Sequence, residues 1–263
     1  MRLAYYLFPL LVLTIDCRPN TANAITIVGS TSVQPFVEKL AEEYMKLHPR
    51  IKINVQGGGS TAGITAVMDG ACPIGMSSRH LKNEEKGLDT VTIAQDAIVV
   101  IVHPQNNLRN ITLQQIRDIF SGKIKRWKEL GGEDAKIVVV TREEGSGTRG
   151  AFTEMVMEDS DISGEALVQD SNGAVREIVA RDKYAIGYIS FGLLDERVQP
   201  LAIGGVLPTV ENIKKGVYGL KRPFLLLVKP GSNCALADSF IGYCLSREGQ
   251  KSLSEEGLIP RQP

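Results

Sequence analysis

Along this chain short β-branched runs alternate with stretches whose apolar residues recur every three or four positions. ITIVG at 25–29 predicts a strand, and QPFVEKLAEEYMKLHP at 34–49 sets Phe36, Val37, Leu40, Tyr44 and Leu47 on one helical face. Strand IKINVQ (51–56), the corner GGGSTAG and a helical ITAVMDG follow. DAIVVIVHP (96–104) reads as a long apolar strand ended by proline. A second set contains helix TLQQIRDIFSG, strand KIVVVT (136–141), a helix from about 148, helix AVREIVAR and strand AIGYISF. PFLLLVKP (223–230) mirrors the earlier apolar strand, ahead of a last helix, ALADSFIGYCLSREGQKSL. Strand–helix alternation predicts an α/β fold with a mainly parallel sheet covered by helices. The two matching strands, one leaving and one returning, predict two lobes joined by a double crossover. Lobe I would comprise 25–100 plus 222–263, and lobe II 101–221.

The first 24 residues follow another pattern. Met1-Arg2 supplies one positive charge, the apolar run LAYYLFPLLVLTI is too short to span a bilayer, and Ala22-Asn23-Ala24 fits the small-x-small cleavage rule. Residues 1–24 therefore read as an export signal. Cys17 raises a lipid anchor as the alternative, but the preceding TID matches a lipidation signal poorly. Cys72, Cys234 and Cys244 remain, an odd number for an exported chain. A bridge between Cys234 and Cys244 and buried free thiols are equally compatible with the spacing. Neither these cysteines nor His48, His80 and His103 form a metal-site pattern.

Charge excludes one class of partner. Lys+Arg and Asp+Glu both number 30, a formal net charge of zero, and a nucleic-acid coat would need a basic excess. A local cationic pocket stays open.

The chemistry concentrates in three segments that share one layout, strand, tight Gly/hydroxyl turn, helix: TIVGSTSVQPF (26–36), NVQGGGSTAGITAV (54–67) and VVTREEGSGTRGAF (139–152). A helix start carries bare N–H groups and partial positive charge. Glycine admits close backbone approach, and hydroxyls add rotatable donors. One such corner is ordinary capping; three at the carboxyl ends of strands in one α/β chain point to an anion. No nucleotide signature is present, since GGGSTAG lacks the P-loop lysine. Arg142 offers the planar fork for a tetrahedral oxyanion, whereas Arg149 falls in the first helical turn and reads as solvent-facing or paired with Glu143 or Glu144. A fourth loop, IGMSSRHL (74–81), adds Ser77, Ser78 and Arg79.

GSTSVQP, VQGGGSTAGI, IGMSSR, IFSGKIKRWKELGG (119–132), TREEGSGTRGAF, SNGAV (171–175) and AIGYISFG (185–192) together resemble the phosphate-binding proteins of ABC-type phosphate importers, the PstS family, nearly end to end. IFSGKIKRWKELGG is the most specific of these, and its role is read as structural, with Trp127 packing on lobe II. The resemblance implies a type II periplasmic binding protein fold, two α/β lobes joined by a two-strand hinge and closing on inorganic phosphate. The implied ligands are Ser30, Thr31, Ser32 and Ser60 from lobe I, and Arg142, Ser146, Gly147 and Thr148 from lobe II. Ser78 completes the set. Many family members carry an aspartate there, which accepts the hydrogen of a protonated phosphate, whereas a serine donates or accepts. Sulfate and molybdate therefore stand as alternative ligands. Arg79 either adds a second cation or pairs with an acidic neighbour. The resemblance further implies a monomeric, exported periplasmic carrier serving a membrane permease, with no cofactor. A phosphate-ester hydrolase would need a base or metal beside a turn serine. The dispersed histidines supply none, and nothing in the sequence links Asp69 or Asp96 to a turn.

Overall fold

The computed structural model describes residues 23–261. Residues 1–22 of the expected leader, Cys17 included, lie outside the described residues. The chain begins with β1 (Ala24–Gly29), α1 (Gln34–Leu47), β2 (Lys52–Gly57), α2 (Ser60–Met68), β3 (Ile74–Ser77) and the long β4 (Asp89–Val102). It continues through β5 (Asn110–Ile111), α3 (Leu113–Phe120), β6 (Val138–Arg142), α4 (Gly147–Phe152), β7 (Leu167–Gln169), α5 (Asn172–Arg181) and β8 (Ala185–Ser190). Then come β9 (Gln199–Pro200), β10 (Ala202–Ile203), α6 (Val210–Lys214), β11 (Lys221–Val228), α7 (Ala235–Leu245), α8 (Arg247–Glu255) and β12 (Ile259–Pro260).

One sheet path joins both halves in the order β2-β1-β3-β11-β4-β8-β6-β7. Its two ends are parallel: β1 pairs with β2 and β3, and β6 with β7 and β8. The middle is not, because β11 returns antiparallel to both β3 and β4, and β8 is antiparallel to β4. The expected mainly parallel sheet is therefore a mixed one. β4 changes partner part-way: Asp89–Ala97 lies against β11, and Ile98–Val102 against β8. From Asp96 to Val102 every residue is buried, as a strand covered on both faces must be.

Helices cover each half of the sheet. On one side of the first half, α1, α7 and α8 bring Phe36, Leu40, Tyr44, Phe240 and Leu253 together, and α2 covers the opposite face with Ile64 against Leu225 and Leu227. In the second half Phe120, Phe152 and Tyr188 form an aromatic cluster, with the Phe152 and Tyr188 rings stacked at 3.9 Å. Trp127 packs into this core, and its indole N–H donates to the Tyr184 carbonyl at 2.9 Å. That is the structural role read for IFSGKIKRWKELGG.

Several boundaries differ from the pattern for local reasons. Leu47 is 65% exposed at the end of α1, where the helix has run past the core, and Ala41 takes its place on the buried face. β4 starts at Asp89, because DTVTIAQ is a half-exposed stretch that the apolar run did not reveal. The single last helix is two: Ser246 is extended (ψ 165°), and its hydroxyl accepts from the Gly249 N–H at 3.1 Å, capping α8. Among the described residues Cys72, Cys234 and Cys244 form no disulfide. Burial pushes the Cys72 and Cys244 thiols above their ordinary pKa, which makes them unreactive.

The seat of α2 against the sheet depends on Gly63. A Cβ there would stand 2.6 Å from the Val28 carbonyl oxygen, 2.8 Å from the Gly29 Cα and 2.9 Å from the Met76 carbonyl oxygen. All three are backbone atoms of the strands, so none can rotate away. Alanine ordinarily favours a helix interior over glycine by about 1 kcal/mol. Here overpacking costs on the order of 1–3 kcal/mol and reverses the sign. Gly63→Ala is expected to lower the urea midpoint at unchanged m-value; a midpoint at or above wild type would refute this close packing.

Candidate functional site

Each half of the sheet delivers its corners to the same place. Ser30, Thr31 and Ser32 follow β1, Ser60 opens α2 after β2, and Ser78 follows β3. Arg142 ends β6, and Ser146 caps α4 by accepting from the Arg149 N–H at 3.3 Å. Ser30, Ser32, Ser60, Ser78, Ser146 and Thr148 are all buried, a concentration of hydroxyls that no apolar core would tolerate unpaired.

Their pairing crosses the chain. Ser30 Oγ donates to Ser78 Oγ at 2.9 Å, and the Ser78 N–H donates to Ser60 Oγ at 3.1 Å. Ser32 Oγ and Thr148 Oγ1 lie 2.7 Å apart although 116 positions separate them in sequence. Gly147 faces this cluster so closely that a Cβ would come within 2.6 Å of Ser78 Oγ and closer still to Ser60 Oγ. The Thr61 N–H reaches the Gly145 carbonyl at 3.1 Å. Ser30, Ser32, Ser60, Ser78, Gly147 and Thr148 are thus brought together directly, Thr31 bonds to Arg142 beside them, and Ser146 adjoins Gly147 as the cap of α4.

Arg142, 1% exposed, is the cation at that locus. Its Nε donates to Glu143 Oε2 at 3.0 Å and to the Gln169 carbonyl at 3.2 Å. Nη2 donates to Glu143 Oε1, the Asp170 carbonyl and Thr31 Oγ1 at 2.9, 2.8 and 3.1 Å. Nη1 has no hydrogen-bond partner. A buried N–H without a partner costs roughly 1–3 kcal/mol, so this donor marks where an acceptor oxygen belongs.

The alternatives left open for the neighbouring arginines resolve through partners. Arg79 grips Glu85 bidentately, Nη1–Oε2 at 2.6 Å and Nη2–Oε1 at 2.7 Å. Those hydrogen bonds hold the Glu85 carboxyl below the usual carboxylate range, and Arg79 is therefore not a second cation for the hydroxyl cluster. Arg149 donates to the Arg142 carbonyl at 2.8 Å and lies 3.9 Å from Glu144, so it braces the corner from outside.

Sequence reasoning missed Asn172, Asp96 and Arg222. Asn172 is buried, donates through Nδ2 to Ser32 Oγ at 2.8 Å and accepts the Ser190 N–H at 3.1 Å. Its motif SNGAV was visible, and Ser171 is the expected kind of cap, accepting from the Ala174 N–H at 3.2 Å. No local rule sends an asparagine side chain across to another corner. Asp96 accepts from Ser190 Oγ at 2.9 Å, from Arg222 Nε at 2.9 Å and from the Gly192 N–H at 3.3 Å. A signal did exist here: DAIVVIV and RPFLLLV each set one charge of opposite sign ahead of an apolar run. Asp69, at the end of α2, is exposed. Among the described residues no group of three or more His, Cys, Asp or Glu could hold a metal ion.

Comparison with known proteins places this geometry in a family. Residues 18–248 match the PBP superfamily domain. The phosphate-binding protein PstS of Bacillus subtilis (strain 168) is 36% identical over 248 residues, covering 92% of this chain and 82% of that protein. The crystal structure of a phosphate ABC transporter substrate-binding protein from Clostridium perfringens, solved with bound phosphate, superposes with a TM-score of 0.89 at 44% identity, covering 91% of this chain and 100% of the other. An ABC-type phosphate transport receptor from Vibrio cholerae gives a TM-score of 0.77 at 39% identity, with 90% and 100% coverage. The chain belongs to the PBP superfamily and, within it, to the family of phosphate-binding proteins PstS.

Proposed function

We propose that this chain is a binding protein without catalytic activity that captures inorganic phosphate between its two halves and delivers it to the membrane permease of an ABC phosphate importer. The observation that carries this reading is a fully buried guanidinium, Arg142, bonded through Nη2 to Thr31 beside a cluster of buried hydroxyls, with Nη1 unpartnered among the described residues. Neutral N–H and O–H donors satisfy a desolvated oxyanion without excess charge, and one fixed cation balances it. The relatives from Bacillus subtilis, Clostridium perfringens and Vibrio cholerae are named for phosphate binding or transport, which supports the same ligand here. In this reading Ser30, Thr31, Ser32, Ser60, Ser78, Arg142, Ser146, Gly147 and Thr148 surround phosphate.

Lobe I is 25–100 plus 222–263 and lobe II is 101–221, with β4 and β11 as the hinge. Support comes from the change of β4 partner between Ala97 and Ile98. Ser32–Thr148, Asn172–Ser32, Thr31–Arg142 and Thr61–Gly145 are among the contacts that a hinge opening would break. The protein works outside the cytoplasmic membrane as a monomer after removal of the 1–24 leader. Hydrolysis is disfavoured because Asp96, the carboxylate beside Ser190, is already claimed by Arg222.

Arg142→Ala is expected to weaken phosphate binding by about 2–5 kcal/mol, read by titration calorimetry. Unchanged affinity would remove Arg142 from the site. Competition with sulfate and molybdate in the same instrument tests the ligand. Ser78 Oγ accepts from Ser30 and, unlike a carboxylate, does not repel a fully ionised anion, so measurable sulfate competition is the expected result.

Glu85 supplies the pH signature of the region outside the cleft. Its folded pKa lies below the unfolded value of about 4.3, so its contribution is complete above that value and lost as pH falls through the folded one. Glu85→Gln should lower the melting temperature near neutrality and flatten the decline below about pH 4, with phosphate affinity within about twofold of wild type. An acid limb identical to wild type would exclude Glu85 as a source of this pH dependence.

A further inference from the structure

Arg222 stands apart from the hydroxyl cluster in sequence, yet at 2% exposure it is buried almost as completely as Arg142. It sits near the start of β11, directly across from Asp96 on β4. Nε donates to Asp96 Oδ2 at 2.9 Å, and Nη2 lies 2.9 Å from the same oxygen without aligning as a donor. Asp96 therefore takes the side edge of the guanidinium. The end edge, Nη1 together with the outer hydrogen of Nη2, is buried and has no hydrogen-bond partner. A guanidinium present only to neutralise a carboxylate commonly uses both prongs of its fork, and here the second Asp96 oxygen goes instead to the Gly192 N–H.

Register sets this residue near the end of β3, and hydrogen bonding links its partner Asp96 to the hydroxyl cluster. β11 runs antiparallel to β3 with Leu225 opposite Ser77, so Arg222 lies three residues beyond the end of β3, on the side where Ser78 emerges. From Asp96 a continuous chain runs through Ser190, Asn172 and Ser32 to Thr148, every link between 2.7 and 3.1 Å. Burial pushes the Arg222 guanidinium below its ordinary pKa, Asp96 opposes that, and the positive charge of Arg142 pushes it further down. Arg142 and Arg222 are both buried, each with one carboxylate and each with a donor left over.

We infer that Arg222 is a second anion-facing guanidinium of this site, meeting the oxyanion from the hinge strand while Arg142 meets it from the end of β6. The inference rests on reading the cleft as an oxyanion site. An anion between the two arginines relieves their repulsion and satisfies both orphaned edges, which neutral hydroxyls cannot do. It also ties binding to the proposed hinge, since Arg222 is the second residue of β11, where the chain returns to the first half of the sheet beside β4.

The test is phosphate calorimetry on wild type, Arg222→Met and the charge-balanced pair Asp96→Asn/Arg222→Met, with phosphate-free thermal melts alongside. Loss of a charged hydrogen bond predicts roughly 10- to 100-fold weaker binding in Arg222→Met. The pair, which no longer strands a lone carboxylate, should melt closer to wild type and remain as weak. Recovery of the pair to within about threefold of wild-type affinity overturns the inference, because Arg222 then only neutralises Asp96. Weak binding in wild type itself would sink the phosphate reading instead, whereas loss in Arg142→Ala with retention in both Arg222 variants sinks this inference alone. If the variants do not fold, a crystal structure of wild type with phosphate decides. An oxygen within about 3.5 Å of Arg222 Nη1 or Nη2 supports the assignment, and its absence refutes it.

Discussion

A guanidinium survives burial only when nearly every donor finds an oxygen, and the site is organised around meeting that demand for Arg142. Glu143 is its neighbour in sequence, and the Gln169 and Asp170 carbonyls come from the corner after β7. Thr31 comes from the other half of the molecule. Satisfying one side chain therefore fixes the relative positions of the corners after β1, β6 and β7. One donor, Nη1, stays unmet among the described residues.

The middle of the sheet supplies the mechanical counterpart. β4 serves both halves in succession, and β11 enters the first half beside it, just after Leu220, whose carbonyl accepts the Ile98 N–H. Burying Asp96 and Arg222 there would be costly for either alone, but opposite charges at matched register positions make the burial tolerable. The polar chain from this pair to Ser32 and Thr148 joins the hinge to the hydroxyl cluster through hydrogen bonds of ordinary length. The centre of the sheet and the hydroxyl cluster are consequently parts of one network.

Charge placement in the cleft is economical. Arg142 is matched by Glu143 and Arg222 by Asp96, while Arg79 is drawn off to Glu85 and Arg149 to the Arg142 carbonyl. Hydroxyls make up most of the remaining lining, and a hydroxyl can either donate or accept. Serine at position 78 keeps that versatility, accepting from Ser30 Oγ while its N–H donates to Ser60 Oγ.

Much of this was legible locally. Periodicity marked β1, α1, β2, α3, α5 and β11 within a few residues, and the glycine–hydroxyl corners stood out as helix starts because such turns depend on neighbours in sequence. Even so, the Ser246 break passed as continuous helix, since an apolar pattern does not register one extended residue that caps the next turn. The sequence alone determined which donors exist and which strands could carry them. Only the tertiary structure decided who meets whom: Arg79 with Glu85, Asn172 with Ser32, Asp96 with Arg222. The last two pairs span 140 and 126 positions, and no local propensity encodes such a meeting; it follows from how the strands align once the core is packed.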